Sequence, residues 1–267
     1  MKITIFTSNQ ARHLSLINEL ANICDCCYAI IEANTIFPGE NKDFYDSTEL
    51  FRKYFKEVLA AEELLFGKPR FLRSNVNTLI IRPSDLNKLN KDYLKDALYS
   101  DIFIVFGSSY VKGWLVDELI EKHAINIHMG LSPYYRGSSC NFWALYDNKP
   151  EFVGGTIHKL SKGLDSGPIL YHALPSLSKI NSPFEFTMNA VKAVQESIIK
   201  YIQTGRIFKL NPIKQENNLL IRYSRYSDFK DESIQNFYKK DISIPNINQR
   251  IEKFRKASNF VEPYLMK

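Results

Sequence analysis

The feature that most constrains this chain is a short apolar run with a hard stop. Ile102-Phe103-Ile104-Val105-Phe106 is unbroken, and Gly107-Ser108-Ser109 closes it. Five residues with no polar alternation fit a strand covered on both faces, the condition of a central strand in a parallel sheet. The flanking segments keep the same rhythm. Residues 2–7 read as a first strand, broken by Ser8-Asn9-Gln10. Leu14, Leu16, Ile17 and Leu20 follow at helical spacing, and residues 27–33 read as a second strand. Strand, loop, helix, strand is the opening of an α/β unit.

Further along, residues 34–47 look like a loop with a Pro38-Gly39 turn, and 48–66 carry a long helical pattern stopped by Gly67-Lys68-Pro69. Residues 77–81 are a short strand. Pro83-Ser84-Asp85 leads into a predicted helix reaching about Leu98, and Val116, Leu119 and Ile120 mark another. Residues 124–129 are strand-like. Residues 156–160 and 168–173 read as an antiparallel pair around Lys162-Gly163-Leu164-Asp165-Ser166-Gly167, and 184–204 as a long helix. Thr204-Gly205-Arg206 is a helix exit and a domain boundary. The expectation is an α/β protein with an open, mostly parallel, Rossmann-like sheet over residues 1–204 and a small C-terminal region over 205–267. The latter holds a segment near 218–223 and a helix near 248–256.

Composition narrows the class. At 45% apolar and 24% charged residues, the 267-residue chain is neither disordered nor in need of metal or disulfide staples. No run approaches the roughly 18 apolar residues of a membrane span, and the start reads as a first strand of a cytoplasmic protein rather than a signal peptide. The charge of +6 is localised: residues 1–204 hold 22 basic and 22 acidic side chains, and residues 205–267 hold 13 and 7. Such a stretch either steers an anionic partner toward a neutral body or is a solvated appendix. Cys24, Cys26, Cys27 and Cys140 match neither a secreted disulfide ladder nor ordinary zinc spacing, and no metal is expected. Cys26 is expected to pack beside the second strand.

Chemistry enters where the alternation goes wrong. In the strand at 124–129, Ile125 and Ile127 share one face while Asn126 and His128 share the other. Two polar side chains on one face of a central strand need hydrogen-bond partners or solvent. Asp165, in a Gly-flanked turn, supplies a carboxylate. An amide, an imidazole and a carboxylate together suit acyl transfer to an incoming amine: the ring manages a proton, the acid fixes or charges it, and the amide meets a developing oxyanion. No Ser or Cys has the context of a covalent nucleophile. The loop after the first strand is where open α/β sheets place ligands. There Ser8, Asn9, Arg12 and His13 precede or open a helix whose N–H groups favour an anion. Arg12 and His13 are read either as holders of an acceptor phosphate or as surface residues with no ligand. A G-x-G-x-x-G dinucleotide fingerprint is absent.

Two motifs in order then carry a family resemblance. Ile125-Asn126-Ile127-His128-Met129-Gly130-Leu131-Ser132-Pro133-Tyr134-Tyr135-Arg136-Gly137, and Gly155-Thr156-Ile157-His158 followed by Gly163-Leu164-Asp165-Ser166-Gly167-Pro168-Ile169-Leu170, resemble the core of the formyltetrahydrofolate-dependent formyltransferases. The likeness is firm over about residues 100–175. It implies the formyltransferase fold, N10-formyltetrahydrofolate as co-substrate, and Asn126, His128 and Asp165 as the catalytic set. It also implies direct attack by an acceptor amine through a tetrahedral intermediate. The matching pterin slot is Phe106-Gly107-Ser108-Ser109-Tyr110 together with His158, Gly163 and Leu164. Tyr110 is either a wall of that slot or a helix start, and His158 either supports the site from behind or moves a proton. Tyr134 and Arg136 complete the expected acceptor-binding set, with Arg136 alternatively pairing an internal carboxylate.

The pattern departs at Gly130, where relatives commonly carry a serine in His-x-Ser-Leu-Leu-Pro, and at Ser138-Ser139-Cys140-Asn141-Phe142-Trp143. Cys140 is read as local packing. Among acceptors, methionyl-tRNA enzymes usually add a C-terminal barrel longer than the 63 residues after position 204. Glycinamide ribonucleotide enzymes carry a glycine-rich phosphate loop that Thr7-Ser8-Asn9-Gln10 does not match. A nucleotide-linked amino sugar remains the expected acceptor. The tail residues Arg222, Tyr223, Arg225, Tyr226 and Phe229 are read either as a nucleotide contact or as an edge strand packing on the body. A homodimer is expected, with no membrane and no nucleic-acid partner. The alternatives are a methionyl-tRNA formyltransferase with a shortened tail and a formyltetrahydrofolate hydrolase.

Overall fold

The computed structural model describes residues 1–36, 40–41, 48–68 and 70–267. The predicted Pro38-Gly39 turn and the Pro69 stop lie outside the described residues. Twelve strands and eight α-helices are formed among the described residues. The strands are β1 (Lys2–Ser8), β2 (Cys26–Glu32), β3 (Thr35–Ile36), β4 (Glu40–Asn41), β5 (Val76–Ile81), β6 (Ile102–Phe106), β7 (Ile125–His128), β8 (Tyr135–Gly137), β9 (Gly155–Lys159), β10 (Ile169–Leu174), β11 (Arg222–Ser224) and β12 (Tyr264–Leu265). The helices are α1 (Ala11–Ala21), α2 (Glu49–Phe66), α3 (Lys91–Leu94), α4 (Gly113–Glu121), α5 (Cys140–Tyr146), α6 (Pro183–Gln203), α7 (Asp231–Lys239) and α8 (Ile244–Phe254). No helix is long and apolar enough to cross a membrane among the described residues.

Eight strands make the main sheet in the order β12-β10-β9-β7-β6-β1-β2-β5. From β5 through β7 the neighbours run parallel, β9 is antiparallel to both β7 and β10, and β12 runs parallel to β10. Side-chain alternation feeds a core on each face. β6 sends Ile102, Ile104 and Phe106 to the larger core and Phe103 and Val105 to the smaller one. The larger core takes Leu16, Ile17 and Leu20 of α1, Tyr54 of α2, and Val194 and Ile198 of α6. The smaller takes Leu115, Val116 and Leu119 of α4. At roughly 1.5–3 kcal/mol per buried large apolar side chain, this double burial outweighs any local propensity. Because β2 and β6 flank β1 on opposite sides, the chain order reverses at β1, and a crevice opens beyond the carboxyl ends of β1, β6 and β7.

Several expectations need correction. The helix read from Pro83 to Leu98 is three separate turns. Asn90 accepts from the N–H groups of Asp92 and Tyr93, restarting the chain as α3. The loop at 34–47 contains the β3–β4 pair. Cys27, not Cys26, is the fully buried cysteine of β2, and the half-buried Cys26 Sγ accepts from Asn77 Nδ2 at 3.2 Å.

The C-terminal stretch is woven into the body at two places. β11 pairs parallel with β8, and β12 extends the main sheet. Arg222 clasps Asp147 with two bonds of 2.6 and 2.8 Å beneath the Trp143 ring. Phe237 of α7 stacks on Phe142 at 5.1 Å. Arg222 and Phe229 of the aromatic-basic stretch are thus spent on internal packing, Phe229 sitting 4.8 Å from the Phe142 ring.

His172 of β10 fastens this tail. Its Nε2 donates to the Ser132 carbonyl at 2.8 Å, and its Nδ1 accepts the Val261 N–H at 3.0 Å. That pairing requires a neutral ring, and burial pushes the pKa down to about 4. The unfolded chain therefore binds a proton between about pH 6.5 and 4 that the folded chain refuses. Stability is complete above this window and falls as pH drops through it, by on the order of 3 kcal/mol for this one group. Denaturant titrations from pH 7 to 4 are expected to show that decline, and His172→Gln, which cannot titrate, is expected to flatten part of it. Equal slopes for the two proteins would remove His172 as a cause.

Candidate active site

The crevice is a cavity of about 530 Å³ lined by Ser8, Arg12, His13, Phe106 through Tyr110, Asn126, His128, His158, Gly163, Leu164 and Asp165. Residues drawn from five separate stretches of sequence therefore meet in one place. β7 delivers the polar pair by its alternation, with Asn126 half-buried and His128 buried. The β9–β10 turn delivers Asp165 from the opposite side.

The three side chains are in mutual reach. His128 Nδ1 lies 3.2 Å from Asp165 Oδ2, and its Nε2 lies 3.1 Å from the Tyr135 carbonyl. Both neighbours are acceptors, so the ring satisfies both only as an imidazolium, donating on each side. Asn126 Nδ2 donates to His158 Nε2 at 2.9 Å and points at Asp165 Oδ1 at 3.5 Å. His158 sets that amide. Its Nδ1–H donates to its neighbour's carbonyl, Lys159 O, at 2.8 Å, which leaves Nε2 as an acceptor. Burial lowers the His158 pKa to about 4 and keeps the ring neutral. His158 thus orients Asn126 from behind and is not placed to carry protons to the cleft.

Asp165 sits at φ +46°, in the left-handed region, at a cost of about 1–2 kcal/mol for a residue with a Cβ. Its carboxylate also accepts the Gly137 N–H at 3.3 Å. The turn is gripped from outside: Arg136 Nη2 donates to Leu164 O at 2.9 Å, and Gln215 Nε2 donates to Asp165 O and Gly167 O, each at 2.8 Å. Across the mouth, the Tyr110 hydroxyl donates to Lys162 O.

The β1 end of the cleft differs from expectation. The N-terminus of α1 already has its anion. Buried Glu62 of α2 accepts from the Arg12 backbone N–H at 2.9 Å and from its guanidinium at 2.8 Å. Arg12 lines the cavity with its charge answered from inside. His13 is buried against the edge of Phe106, and burial, then the Arg12 charge, drives its pKa well down. Gly107, at φ +69°, lets this ring approach: a Cβ there would sit 2.6 Å from His13 Nε2.

Two residues expected on the acceptor side are not among those lining the cavity. Tyr134 is buried, packs on Phe152 at 4.5 Å and donates its hydroxyl to Asn259 O, so it faces the tail and not the cavity. Arg136 pairs neither carboxylate nor open space, since its second nitrogen donates to Asn217 Oδ1 at 3.3 Å. Asn9 is not among the lining residues. Sequence reasoning missed Glu32, whose buried carboxylate accepts the N–H groups of Ser84 and Ser109 and so fixes the slot loop. It also missed Gln215. Tyr226 of the tail, 80% exposed, reaches the cavity rim. Cys140 is buried, with Sγ donating to Gly137 O at 3.4 Å, and burial raises its pKa far from the thiolate range. Among the described residues no group of three His, Cys, Asp or Glu side chains could hold a metal.

Gly130 acquires a reason. A Cβ there would lie 2.6 Å from His128 Nε2 and 2.5 Å from Cys140 Cβ. The imidazole occupies the room a serine side chain would take. Gly130→Ser is expected to destabilise the protein by about 1–3 kcal/mol through overpacking and to push the ring off the Tyr135 carbonyl. Denaturant unfolding together with the His128 imidazole NMR signals reads both effects. Wild-type stability with unchanged signals would show that the room is not needed.

Residues 82–199 match the formyl transferase family. The methionyl-tRNA formyltransferase of Trichodesmium erythraeum is 21% identical over 189 residues, which is 71% of this chain and 52% of that protein. The chain spans about half the length of the curated relatives it matches. In structure it is similar to a sugar N-formyltransferase from Shewanella sp. FDAARGOS_354, at TM-score 0.54 and 19% identity, covering 86% of this chain and 78% of that one. It is also similar to an N-formyltransferase from Helicobacter canadensis in complex with folinic acid and dTDP-3-aminofucose, at TM-score 0.52 and 19% identity over 98% and 83% of the two chains. The sheet with its crevice at the β1 switch point, and the Asn126–His128–Asp165 cluster inside that crevice, are the setting of the segment, residues 82–199, that matches the formyl transferase family.

Proposed function

We propose that this chain transfers the formyl group of N10-formyltetrahydrofolate to the amine of a nucleotide-linked amino sugar. The observation that carries the transfer chemistry is the convergence of Asn126, His128 and Asp165 on one wall of the cavity. The lining beside them suits a flat ring. Phe106 and Leu164 are apolar walls, and the backbone of 106–110 and 161–165 offers donors and acceptors at the ring's edge. The folate supplies the formyl carbon.

The chain's own residues handle the charge and the proton. As the acceptor nitrogen bonds to the formyl carbon, negative charge gathers on the formyl oxygen, which the Asn126 N–H now loosely engaged by Asp165 can meet. The 3.5 Å contact from Asn126 to Asp165 is long enough for a substrate oxygen to take its place. The Asp165 carboxylate receives the proton of the attacking amine and passes it to the departing folate nitrogen as the old carbon–nitrogen bond breaks. No side chain needs to form a bond to carbon.

Further lining residues support a nucleotide-linked acceptor. Tyr226 presents an exposed aromatic ring to the cavity, whose lining also includes Ser138 and Ser139. The ring suits a base, and the seryl hydroxyls suit a sugar or phosphate. This gives residues 205–267 a share in the acceptor side. The named activities of the compared proteins divide between sugar and methionyl-tRNA acceptors, so the test must hold both.

His128→Ala and Asp165→Asn are each expected to lower turnover by more than ~100-fold with circular dichroism unchanged. Near-normal rates in either folded variant would withdraw that residue's role. Purified protein given N10-formyltetrahydrofolate and a panel of nucleotide 3-amino and 4-amino sugars is expected to add formyl mass to at least one. Formylation of methionyl-tRNA alone would transfer the assignment to that acceptor, and formate release without any acceptor would make the protein a hydrolase.

A further inference from the structure

We infer that Gln215, in the C-terminal stretch, is a positioning residue that sets the backbone of the Asp165 turn and thereby the reach of its carboxylate to His128. The inference rests on the role proposed above for Asp165.

One side-chain amide holds two turn carbonyls at once. Gln215 Nε2 lies 2.8 Å from Asp165 O and 2.8 Å from Gly167 O. Only the NH₂ end of the amide can face two acceptors, so its orientation is determined by the contacts themselves. The two carbonyls flank Ser166 and belong to the stretch in which Asp165 takes its left-handed φ of +46°. An L-residue stays there only when its surroundings over-determine it.

The segment that carries Gln215 is itself anchored. Ile213 exchanges both backbone hydrogen bonds with Ile169, at 2.7 and 2.8 Å, just beyond the turn. Asn217 accepts from Arg136, whose other nitrogen holds Leu164 O. Residues 213–217 therefore meet the turn directly through Gln215, just beyond its end through Ile213, and at its start by way of Arg136.

The remaining atom of the amide strengthens the case. Gln215 is buried, and its Oε1 has no protein hydrogen-bond partner. A buried, half-satisfied amide is a poor choice for packing alone, where an apolar side chain of the same length would serve better. Its N–H groups are what the position uses.

The test compares full-length wild type with Gln215→Met, which keeps the chain length without donors, and Gln215→Asn, which keeps the amide one methylene short. Three readouts are taken: hydrogen exchange of residues 163–169, the His128 imidazole NMR signals, and turnover. Expected are exchange faster by about 10-fold or more in this turn, displaced His128 signals as its carboxylate loosens, and turnover reduced at least ~10-fold. A role confined to global stability would change exchange across the whole molecule and leave the His128 signals in place, which overturns the inference. So would variants equal to wild type in all three readouts. If wild type formylates no acceptor while exchange and signals respond as stated, the positioning stands and the functional reading falls.

Discussion

The 3.2 Å contact between Asp165 and His128 is the constraint around which the cleft is organised. A strand-borne imidazole can meet a carboxylate from another element only if that element is bent back to it and held. The β9–β10 turn reaches across by putting Asp165 in the left-handed region, where it is secure because neighbours grip the backbone on both sides. The ring in turn needs room to lie between the carboxylate and the Tyr135 carbonyl, and the missing side chain at Gly130 provides it. His158, neutral and backbone-tethered, keeps the Asn126 amide turned toward the same point. Each of these features makes sense as a condition for the one contact between His128 and Asp165.

Two buried acids shape the rest of the cavity without touching its chemistry. Glu62 answers both the helix start at α1 and the Arg12 guanidinium, so the β1 end of the cleft is close to neutral from within. Glu32 joins the Ser84 and Ser109 backbones and makes two loops behave as one wall. Both carboxylates satisfy their lone pairs with N–H donors, the condition under which a buried charge is tolerated. An anionic ligand arriving at β1 meets an already compensated site, and its binding energy must come from other parts of the cavity.

What could be read from residues alone follows a physical line. The parallel core was legible because each strand's alternation or apolar run is local, and Ile102–Phe106 announces itself. Asn126 and His128 were legible because two polar side chains on one face of a buried strand contradict the pattern around them. The single helix expected after Pro83 failed because Asn90 competes for the backbone, an effect that periodicity does not register. Tyr134 and Arg136 adjoin the motif yet meet protein groups, Tyr134 through Asn259 O of the tail and Arg136 through Leu164 O of the Asp165 turn and Asn217 of the tail. Glu32, Glu62 and Gln215 had no local signal, because each acts through a partner some 50 residues or more away. Long-range pairing of that kind exists only once the fold does.

The double stitching of the tail also orders events during synthesis. The strands from β1 to β10 and the helices between them carry their own cores and can condense as they emerge. The turn that holds Asp165, however, receives Gln215 from a later stretch, β8 receives β11, and β12 closes the sheet edge later still. The backbone of the Asp165 turn is therefore complete only with a residue contributed from 50 positions further along the chain.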